Sequence, residues 1–550
     1  MTAASMMMDK ELASKACSDA QLCVVHESSV WDDDEGARTW LEKWTAAWSC
    51  DGGTVAVTGK SDSGRAWADS VMPFSDSPVI GPRPLQEGAN LHRCLSERQP
   101  AVLVVADDIG AAWGVLEARR AGLDYRETVV VAFVTGPRCR LRAERLERGF
   151  DLHEALAERI DDHLLRWADV IIAAPEVIDW AISAGAAAGE VMPSDDPAAA
   201  MEAVARNLAW RRSDGSRPAL AAPLVSAVVT HFNRPDMVRR AIESLLVQTW
   251  EDLEILLVDD GSTHPQAAAL LDELEIAVLP RPLRVIRKVN GGLGSARNEG
   301  LRQARGELVV FLDDDDEAEP TYVERMATAL LNTEAVAAVV GFRVFEGAAT
   351  GSLQGIAEQM QWMYFSPAAD LAVLDNIIGG AAAMFRRTEA LALGGFHEIK
   401  HVTYEDWALL VKVAMAGHDI VSVPEALLRY RVSANSMLRT FPLWGSRDEV
   451  FAAFRPGCAG LLSQWPELVY GLHERCRQLQ EDRARLLDDL AAQAALVESM
   501  RAGVASLTVA AEERDLMLAS TSWWVGSNAV KVLRRTRALA GRARHISRRR

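Results

Sequence analysis

The chain of 550 residues is 49% hydrophobic and 25% charged, which is ordinary for globular protein and long enough for several domains. Its net charge of −18 argues against general nucleic-acid binding, so no nucleic-acid partner is expected. The seven cysteines are scattered without CxxC spacing, which argues against a zinc site or a disulfide framework. There is no signal-peptide core and no run of 18 apolar residues, which predicts a cytoplasmic protein without a transmembrane helix.

Residues 1–219 are predicted to form a Rossmann-like α/β accessory domain. Strand-like, β-branched runs alternate there with charged, Ala-rich helical segments, which indicates a parallel sheet covered on both faces. The predicted strands lie at residues 53–58, 101–106, 128–134 and 170–174. Residues 101–174, with Asp107 and Asp108 in a turn after one strand, resemble part of the acceptor-side half of two-domain (GT-B) glycosyltransferases. The nucleotide-binding half of such enzymes has no counterpart here, so an accessory role is expected.

Residues 220–445 are predicted to form a second α/β domain, and a polar stretch at 211–222 that suits a linker leads into it. An amphipathic helix is expected at about 236–248. Buried-type strands are predicted at residues 224–230, 253–258, 283–286 and 307–311. This alternation predicts a doubly wound, mostly parallel sheet. The domain has neither a GxGxxG fingerprint nor a Walker P-loop.

Two of these strands end in carboxylates. Four aspartates occupy positions 313–316, and Asp259 and Asp260 follow the strand at 253–258. Neighbouring carboxylates repel one another, and a hard divalent cation such as Mg²⁺ or Mn²⁺ removes that cost by taking oxygen ligands. Open α/β sheets bind their ligands at the carboxyl ends of strands. The pattern therefore favours a metal–phosphate site over a solvated acidic turn.

Residues 224–440 carry an ordered set of motifs that resembles the family 2 glycosyltransferases, which have the GT-A nucleotide-sugar-binding fold. The motifs are VSAVVTHFNR at 225–234, VDDGST at 258–263, NGG at 290–292, ARNEG at 296–300, GELVVFLDDDD at 306–316 and YEDW at 404–407. In the family's metal motif, Leu-Asp-x-Asp-Asp, x is usually Ala or Ser, whereas this chain has Asp314. The expected fold is a GT-A domain, preceded by the Rossmann-like domain and followed by a helical coiled-coil tail.

The resemblance implies a role for each of ten residues. Asp406 is expected to be the general base with Glu405 in support, Asp315 and Asp316 to bind Mn²⁺ or Mg²⁺, and the donor to contact Thr230, Asn233, Asp259, Asp260, Arg297 and Asp313. A base is needed because an acceptor hydroxyl is a poor nucleophile. Two residues have alternative interpretations. Arg297 fits an exposed helix position equally well, and Asp406 is also an acid of the kind favoured at helix N-termini.

The activity implied by the resemblance is inverting transfer of a sugar from a UDP- or dTDP-type nucleotide-sugar to an acceptor hydroxyl. The expected acceptor is a glycan, a lipid-linked glycan or a protein, in the synthesis of cell-surface polysaccharide, lipopolysaccharide or glycoprotein. The alternative is a catalytically inactive scaffold that acts through a coiled coil and the N-terminal domain. The joint presence of Asp259, Asp315 and Asp406 favours the enzyme.

Residues 446–520 are predicted to be helical. Apolar residues at spacings of three and four over 469–511 predict a coiled coil that joins copies of the chain, and the alternative is a long amphipathic helix packed on its own enzyme. Residues 521–550 are basic and contain the neighbouring Trp523 and Trp524. This composition predicts peripheral contact with the inner face of the cytoplasmic membrane. The alternative is a basic tail bound to the acidic surface of the same protein.

Overall fold

A computed structural model describes most of the chain up to residue 432. The described residues are 21–26, 54–59, 70–73, 79–80, 83–96, 99–106, 112–134, 152–187, 191–194, 196–213, 222–346, 361–373, 375–401, 403–432, 450, 452–453, 493, 512, 514–515, 531 and 534. The chain separates into two compact units, Met1–Gly471 and Leu472–Arg550. The predicted coiled coil and basic tail lie outside the described residues, apart from isolated positions. No helix in the described ranges is both long and apolar enough to span a membrane.

Among the described residues, the first sheet is built from seven parallel strands. They are β1 (Gln21–His26), β2 (Thr54–Gly59), β3 (Ser70–Pro73), β5 (Val102–Ala106), β6 (Val129–Val134), β7 (Val170–Ala173) and β8 (Val191–Pro193), in the spatial order β3-β2-β1-β5-β6-β7-β8. The helices of this part are α1 (Arg83–Leu95), α2 (Trp113–Arg120), α3 (Leu152–Trp167), α4 (Ile178–Ser183) and α5 (Pro197–Ser213), with a 3₁₀ turn at Pro175–Val177. Every residue of β6 and β7 is buried, as in a parallel sheet covered on both faces. The four strands predicted here are confirmed, and the assignment to a Rossmann-like domain stays a prediction.

The second sheet has ten strands in the part of the chain that the structure describes. They are β4 (Val79–Ile80), β9 (Val225–His231), β10 (Leu253–Asp259), β11 (Leu283–Arg287), β12 (Leu308–Asp313), β13 (Glu317–Ala318), β14 (Ala337–Glu346), β15 (Gln361–Trp362), β16 (Met384–Arg386) and β17 (Ile420–Val432). The spatial order is β11-β10-β9-β12-β16-β14-β15-β4, and β17 pairs with β13 and β14. The four strands β11, β10, β9 and β12 are parallel, whereas β16 is antiparallel to both of its neighbours. This mixed α/β architecture with a parallel centre agrees with the predicted fold class.

The helices of the second part lie between these strands. They are α6 (Pro235–Leu246), α7 (Pro265–Ile276), α8 (Leu293–Gln303), α9 (Tyr322–Asn332), α10 (Arg387–Ala392) and α11 (Glu405–Met415), with a 3₁₀ segment at Ser366–Val373. Helix α6 shows why they form. Pro235 occupies its first turn, where a missing N–H costs nothing, and Val238, Ala241, Ile242 and Leu245 form its buried stripe. The stripe packs the helix on the sheet and so fixes the loop between β9 and α6.

The helices of the first sheet pack directly on the second sheet. Trp113 of α2 belongs to the same hydrophobic core as Phe365 and Trp407. Glu117 of α2 is fully buried and accepts a hydrogen bond of 3.1 Å from the backbone N–H of Ser422 on β17. Strand β4 pairs with β15 at the edge of the second sheet. The N-terminal part is therefore joined to the second sheet by a shared core and by an added edge strand.

Candidate active site

The predicted site residues lie at the carboxyl ends of neighbouring parallel strands. Thr230, near the end of β9, is in register with Val258 on β10 and with Asp313 on β12. The hydroxyl of Thr230 donates a hydrogen bond of 3.3 Å to Asp313. Three predicted positions, Thr230, Asp259 and Asp313, are thus brought to one edge of the sheet, where open α/β sheets bind ligands.

Asp259 and Asp260 are both buried but have different partners. The carboxylate of Asp260 accepts hydrogen bonds of 2.8 Å from the backbone N–H groups of Gly291 and Gly292, and the ammonium of Lys288 lies 2.7 Å away. Asp260 therefore holds the glycine-rich turn before α8. Asp259 accepts longer bonds, of 3.2 and 3.3 Å, from the N–H of Ser262. Because the hydrogen bonds to the carboxylate of Asp259 are longer, Asp259 is better placed than Asp260 to bind a ligand.

Asn233 ties the loop after β9 to the loop after β10. Its amide oxygen accepts hydrogen bonds of 2.8 Å from the N–H groups of Thr263 and His264, and its own N–H donates to the hydroxyl of Ser262. The backbone of Asn233 has a φ of +59°, a left-handed conformation that asparagine tolerates better than most residues. Asn233 thus fixes the shape of the edge at which the donor is predicted to bind.

Asp314, the departure from the family's metal motif, is buried and turned towards the loop after β9. Its carboxylate lies 2.8 Å from Nδ1 of His231 and accepts hydrogen bonds from the N–H of Phe232 and the guanidinium of Arg234. A side chain with three donors around it is a structural partner of that loop. The extra aspartate therefore adds little uncompensated charge to the predicted metal site.

Asp315 and Asp316 carry more negative charge than their neighbours offset. Arg234 lies 2.6 Å from the carboxylate of Asp315, and the backbone N–H of Arg431 donates to that of Asp316 at 2.9 Å. Burial, reinforced by Asp313 and against the opposing effect of Arg234, raises the pKa of Asp315 to about 6. Burial and the neighbouring carboxylates also raise the pKa of Asp316. Such an excess of carboxylate charge is the condition under which a divalent cation binds.

The donor set fits Mg²⁺ or Mn²⁺ held by two protein carboxylates. Across the described residues, one group of three acidic or histidine side chains has converging ligand atoms. It consists of His92, Asp124 and Glu425 and does not include the aspartates of β12. Arg325 forms ion pairs with both acids of that group and so offsets part of their negative charge. At β12 the protein supplies fewer ligands, and Mg²⁺ commonly binds through one or two carboxylates together with substrate phosphates and water. The residues present at β12 therefore fit the expected cation.

Arg297 is buried between the end of β12 and the start of α11. Only 1% of it is exposed, which excludes the exposed helix position of the alternative interpretation. One terminal nitrogen lies 2.7 Å from Asp313, and the other forms an ion pair with Glu405. The guanidinium also lies over the ring of Phe396, 5.5 Å from its centroid. Arg297 thus links the donor side of the site to the helix with the predicted base, and its predicted phosphate contact stays a prediction.

Asp406 and Glu405 begin α11, as both interpretations of the motif require. Tyr404 precedes them in a left-handed conformation with a φ of +68°, which turns the chain sharply into the helix. Asp406 is half-buried, and its Oδ1 accepts a hydrogen bond of 2.8 Å from the N–H of Trp407. Burial raises the pKa of Asp406 and raises that of Glu405 to about 7, while the charge of Arg297 acts in the opposite direction. The helix start places two carboxyl groups near Asp313 at the end of β12.

Two further residues reach the site without a clear signal in the sequence. Tyr364 and Tyr430 have raised pKa values because they are buried and because Asp406 and Asp316 lie close to them. Tyr430 lies on β17, and Tyr364 lies in a segment without a motif. The proximity of Tyr364 to Asp406 depends on tertiary packing over 42 positions of the chain, which no local pattern reveals.

The chain is similar to several known proteins. The family model for glycosyl transferase family 2 matches residues 226–391. An uncharacterized glycosyltransferase of Haemophilus influenzae is 33% identical over 224 residues, which are 39% of this chain and 67% of that protein. The O-antigen biosynthesis protein RfbC of Myxococcus xanthus is 27% identical over 256 residues, which are 44% of this chain and 20% of RfbC. The crystal structure of S. aureus TarS 1–349 in complex with UDP-GlcNAc has a TM-score of 0.36 and 18% identity, covering 45% of this chain and 71% of that one.

The matched model describes a class of transferases, and residues 226–391 include most of the second sheet and the aspartates at the ends of β10 and β12. The chain belongs to glycosyl transferase family 2. The chain spans only 29% to 38% of the length of four other curated glycosyltransferases that it matches. The predicted family is therefore confirmed, and the match ends before α11 with its Asp406.

Proposed function

We propose that this protein is an inverting glycosyltransferase that moves a sugar from a UDP- or dTDP-type nucleotide-sugar to an acceptor hydroxyl. The observation that carries the proposal is the bridge made by Arg297, which joins Asp313 at the end of β12 to Glu405 at the start of α11. Through this bridge, the predicted donor site and the predicted base belong to one connected site.

Asp406 is the proposed general base. The proton of the acceptor hydroxyl passes to its carboxylate as the hydroxyl oxygen bonds to the anomeric carbon and the bond from that carbon to the diphosphate oxygen breaks. Attack from the face opposite the leaving group inverts the configuration. Asp406 is not engaged in an ion pair within the described residues, whereas Glu405 is held by Arg297. This difference supports Asp406 as the base and Glu405 as the residue that supports it.

The nucleotide-diphosphate is proposed to lie along the ends of β9, β10 and β12. Asp259 and Thr230 are placed for the nucleoside, with Asn233 and Asp260 holding the two loops around them. Asp315 and Asp316 would hold Mn²⁺ or Mg²⁺, which supplies positive charge to the departing diphosphate. Arg234, which lies beside Asp315, is well placed to shift from the carboxylate to a phosphate oxygen.

The proposed setting is the synthesis of cell-surface polysaccharide, lipopolysaccharide or glycoprotein in the cytoplasm. The similarity to RfbC, named as an O-antigen biosynthesis protein, supports a glycan acceptor. We further propose self-association through 469–511 and contact with anionic membranes through 521–550. Light scattering on the full chain and on a chain ending at Gly457 tests the first idea, and equal monomeric masses would exclude it. Liposome co-sedimentation tests the second, and equal binding without residues 521–550 would refute it.

Nucleotide release tests the proposed activity. The full chain is incubated with Mn²⁺ or Mg²⁺, a panel of UDP-, GDP- and dTDP-sugars, and glycan acceptors, and free nucleoside diphosphate is measured. Release is expected from at least one UDP- or dTDP-sugar, and it should stop when the cation is chelated. Asp272→Asn is a matched control, because Asp272 is an exposed acid on α7. Absence of release and of nucleotide binding with every donor would support the scaffold instead.

A further inference from the structure

Four aromatic side chains form a cluster beside the proposed base. Phe342 on β14 is in register with Trp362 on β15, and their rings stack at 6.5 Å with an interplanar angle of 12°. The ring of Phe342 also lies 6.1 Å from that of Tyr364 and 5.1 Å from that of Tyr430. Phe342 pairs with Leu428 on β17, and Tyr430 lies two residues further along that strand, so Phe342 and Tyr430 share a face. We call these four residues the aromatic face.

The aromatic face differs from the hydrophobic core in its exposure. All four of its residues are half-buried, whereas Phe311, Phe365 and Phe385 of the core are almost completely buried. Half-exposed rings keep part of their apolar surface in contact with solvent. A group of such rings next to a reaction centre is typical of ligand sites, which combine aromatic walls with a few polar groups.

Gly380 shows how close the aromatic face comes to the base. A β-carbon added at Gly380 would lie 2.8 Å from the phenol oxygen of Tyr364 and 3.9 Å from Oδ2 of Asp406. A side chain at position 380 would therefore crowd the phenol of Tyr364, and glycine avoids that clash. The two distances also place the phenol oxygen of Tyr364 near the carboxylate of Asp406, so that one hydroxyl group lying between them could contact both.

The aromatic face and the proposed nucleotide site lie on different strands, although Tyr430 comes close to Asp316. The proposed nucleotide site lies on the ends of β9, β10 and β12, whereas the aromatic face lies on β14, β15 and β17, beyond β16. Asp406 stands between the two, since it has electrostatic contact with Asp313 on the donor side and with Tyr364 on the aromatic side. An acceptor must approach the base from the side that the donor leaves free.

We propose that the aromatic face is the acceptor subsite and that it takes a pyranose sugar, with the sugar ring stacked on Trp362 and Tyr430 and a hydroxyl directed at Tyr364 and Asp406. The inference rests on the proposed glycosyltransferase function and narrows its acceptor to a glycan. A pyranose ring has C–H groups on its faces and hydroxyls around its edge, which matches aromatic surface next to a phenol and a carboxylate. A lipid chain would leave those polar groups without partners.

The test measures acceptor and donor binding separately in the full chain. Saturation-transfer NMR with a panel of methyl pyranosides reports the acceptor subsite, and calorimetry with UDP or dTDP and Mn²⁺ reports the donor site. Trp362→Ala is expected to weaken binding of the pyranoside roughly 3- to 10-fold, the usual worth of one aromatic contact, while nucleotide affinity stays within about twofold. Tyr364→Phe keeps the packing of the ring and removes only the hydroxyl, so it should also lower pyranoside binding. Trp210→Ala is the matched control, because Trp210 is an exposed tryptophan on α5, and it should change neither affinity.

Each outcome decides the proposal. Nucleotide binding without saturation transfer to any pyranoside would overturn it and leave the glycosyltransferase function intact. Saturation transfer that is equal in wild type, Trp362→Ala and Tyr364→Phe would also overturn it, because the sugar would then bind elsewhere. Failure of every nucleotide to bind with Mn²⁺ would count against the proposed function itself, and the inference would fail with it. Loss of pyranoside binding in both variants, with nucleotide affinity retained, would support the acceptor subsite.

Discussion

Replacement of Arg297 by methionine is expected to destabilise the protein strongly. Methionine has a similar length and no charge, so it removes the guanidinium that lies between Glu405 and Asp313. Arg297 and Glu405 are both buried, and loss of one partner leaves an uncompensated charge in a medium of low polarity. Breaking a buried ion pair in this way costs about 3–5 kcal/mol, a large part of the roughly 5–15 kcal/mol by which a typical domain is stable.

The assay is denaturation by urea, followed by tryptophan fluorescence. Arg297→Met should lower the transition midpoint of the transferase part, whereas Arg302→Met on the same helix should change stability by less than about 0.5 kcal/mol. Arg302 is the matched control because its side chain is 51% exposed and pairs with Glu299 at the surface. The double variant Arg297→Met with Glu405→Gln should recover part of the lost stability, because it also removes the unpaired charge of the Glu405 carboxylate. Equal midpoints for Arg297→Met and Arg302→Met would refute the reasoning.

Two other predictions concern catalysis and acid stability. Asp406→Asn should bind the nucleotide nearly normally and lose transfer by roughly 10²–10⁴-fold, the usual contribution of a general base. Nucleotide release at saturating donor measures this loss. A variant that keeps full transfer but loses donor affinity would show that the base lies elsewhere. Burial lowers the pKa of His92 from 6.5 to about 4, so the unfolded chain takes up a proton that the folded chain resists. The free energy of unfolding should therefore fall by about 3 kcal/mol as the pH drops from 6.5 to 4, because of this histidine. His92→Phe should remove that part of the pH dependence of the denaturation midpoint. If the denaturation midpoint of His92→Phe depended on pH as in wild type, the lowered pKa of buried His92 would not be the cause.

The parallel centre of the second sheet was predictable because its strands are continuous apolar runs that end in polar turns. The predicted strand at 253–258 corresponds to β10 (Leu253–Asp259), and the predicted helix at about 236–248 to α6 (Pro235–Leu246). Local composition determines such elements, since a buried parallel strand needs apolar residues on both faces. The short edge strand Val79–Ile80 was not predictable, because two residues carry no periodicity and their partner lies about 280 positions away.

The candidate site could be proposed from the sequence, whereas its contacts could not be predicted. The ordered motifs identified Asp313, Asp315 and Asp406, whereas the position of Arg297 depends on a partner 108 residues away in the chain. The same limit applies to Asp314, which a motif comparison treats as an added metal-site charge and which the fold pairs with His231 and Arg234. Spacing in sequence shows which residue types are present, and long-range packing decides which of them meet.

Calorimetric titration of UDP or dTDP in the presence of Mn²⁺ tests the central claim most directly, with wild type compared with Asp315→Ala. Wild type is expected to bind at least one of these nucleotides only when the cation is present. Asp315→Ala should weaken that binding because it removes a carboxylate that would hold the cation beside the diphosphate. Asp272→Asn, the exposed control on α7, should bind as wild type does. Affinity that is unchanged in Asp315→Ala, or equal with and without Mn²⁺, would contradict a cation-dependent donor site at the end of β12.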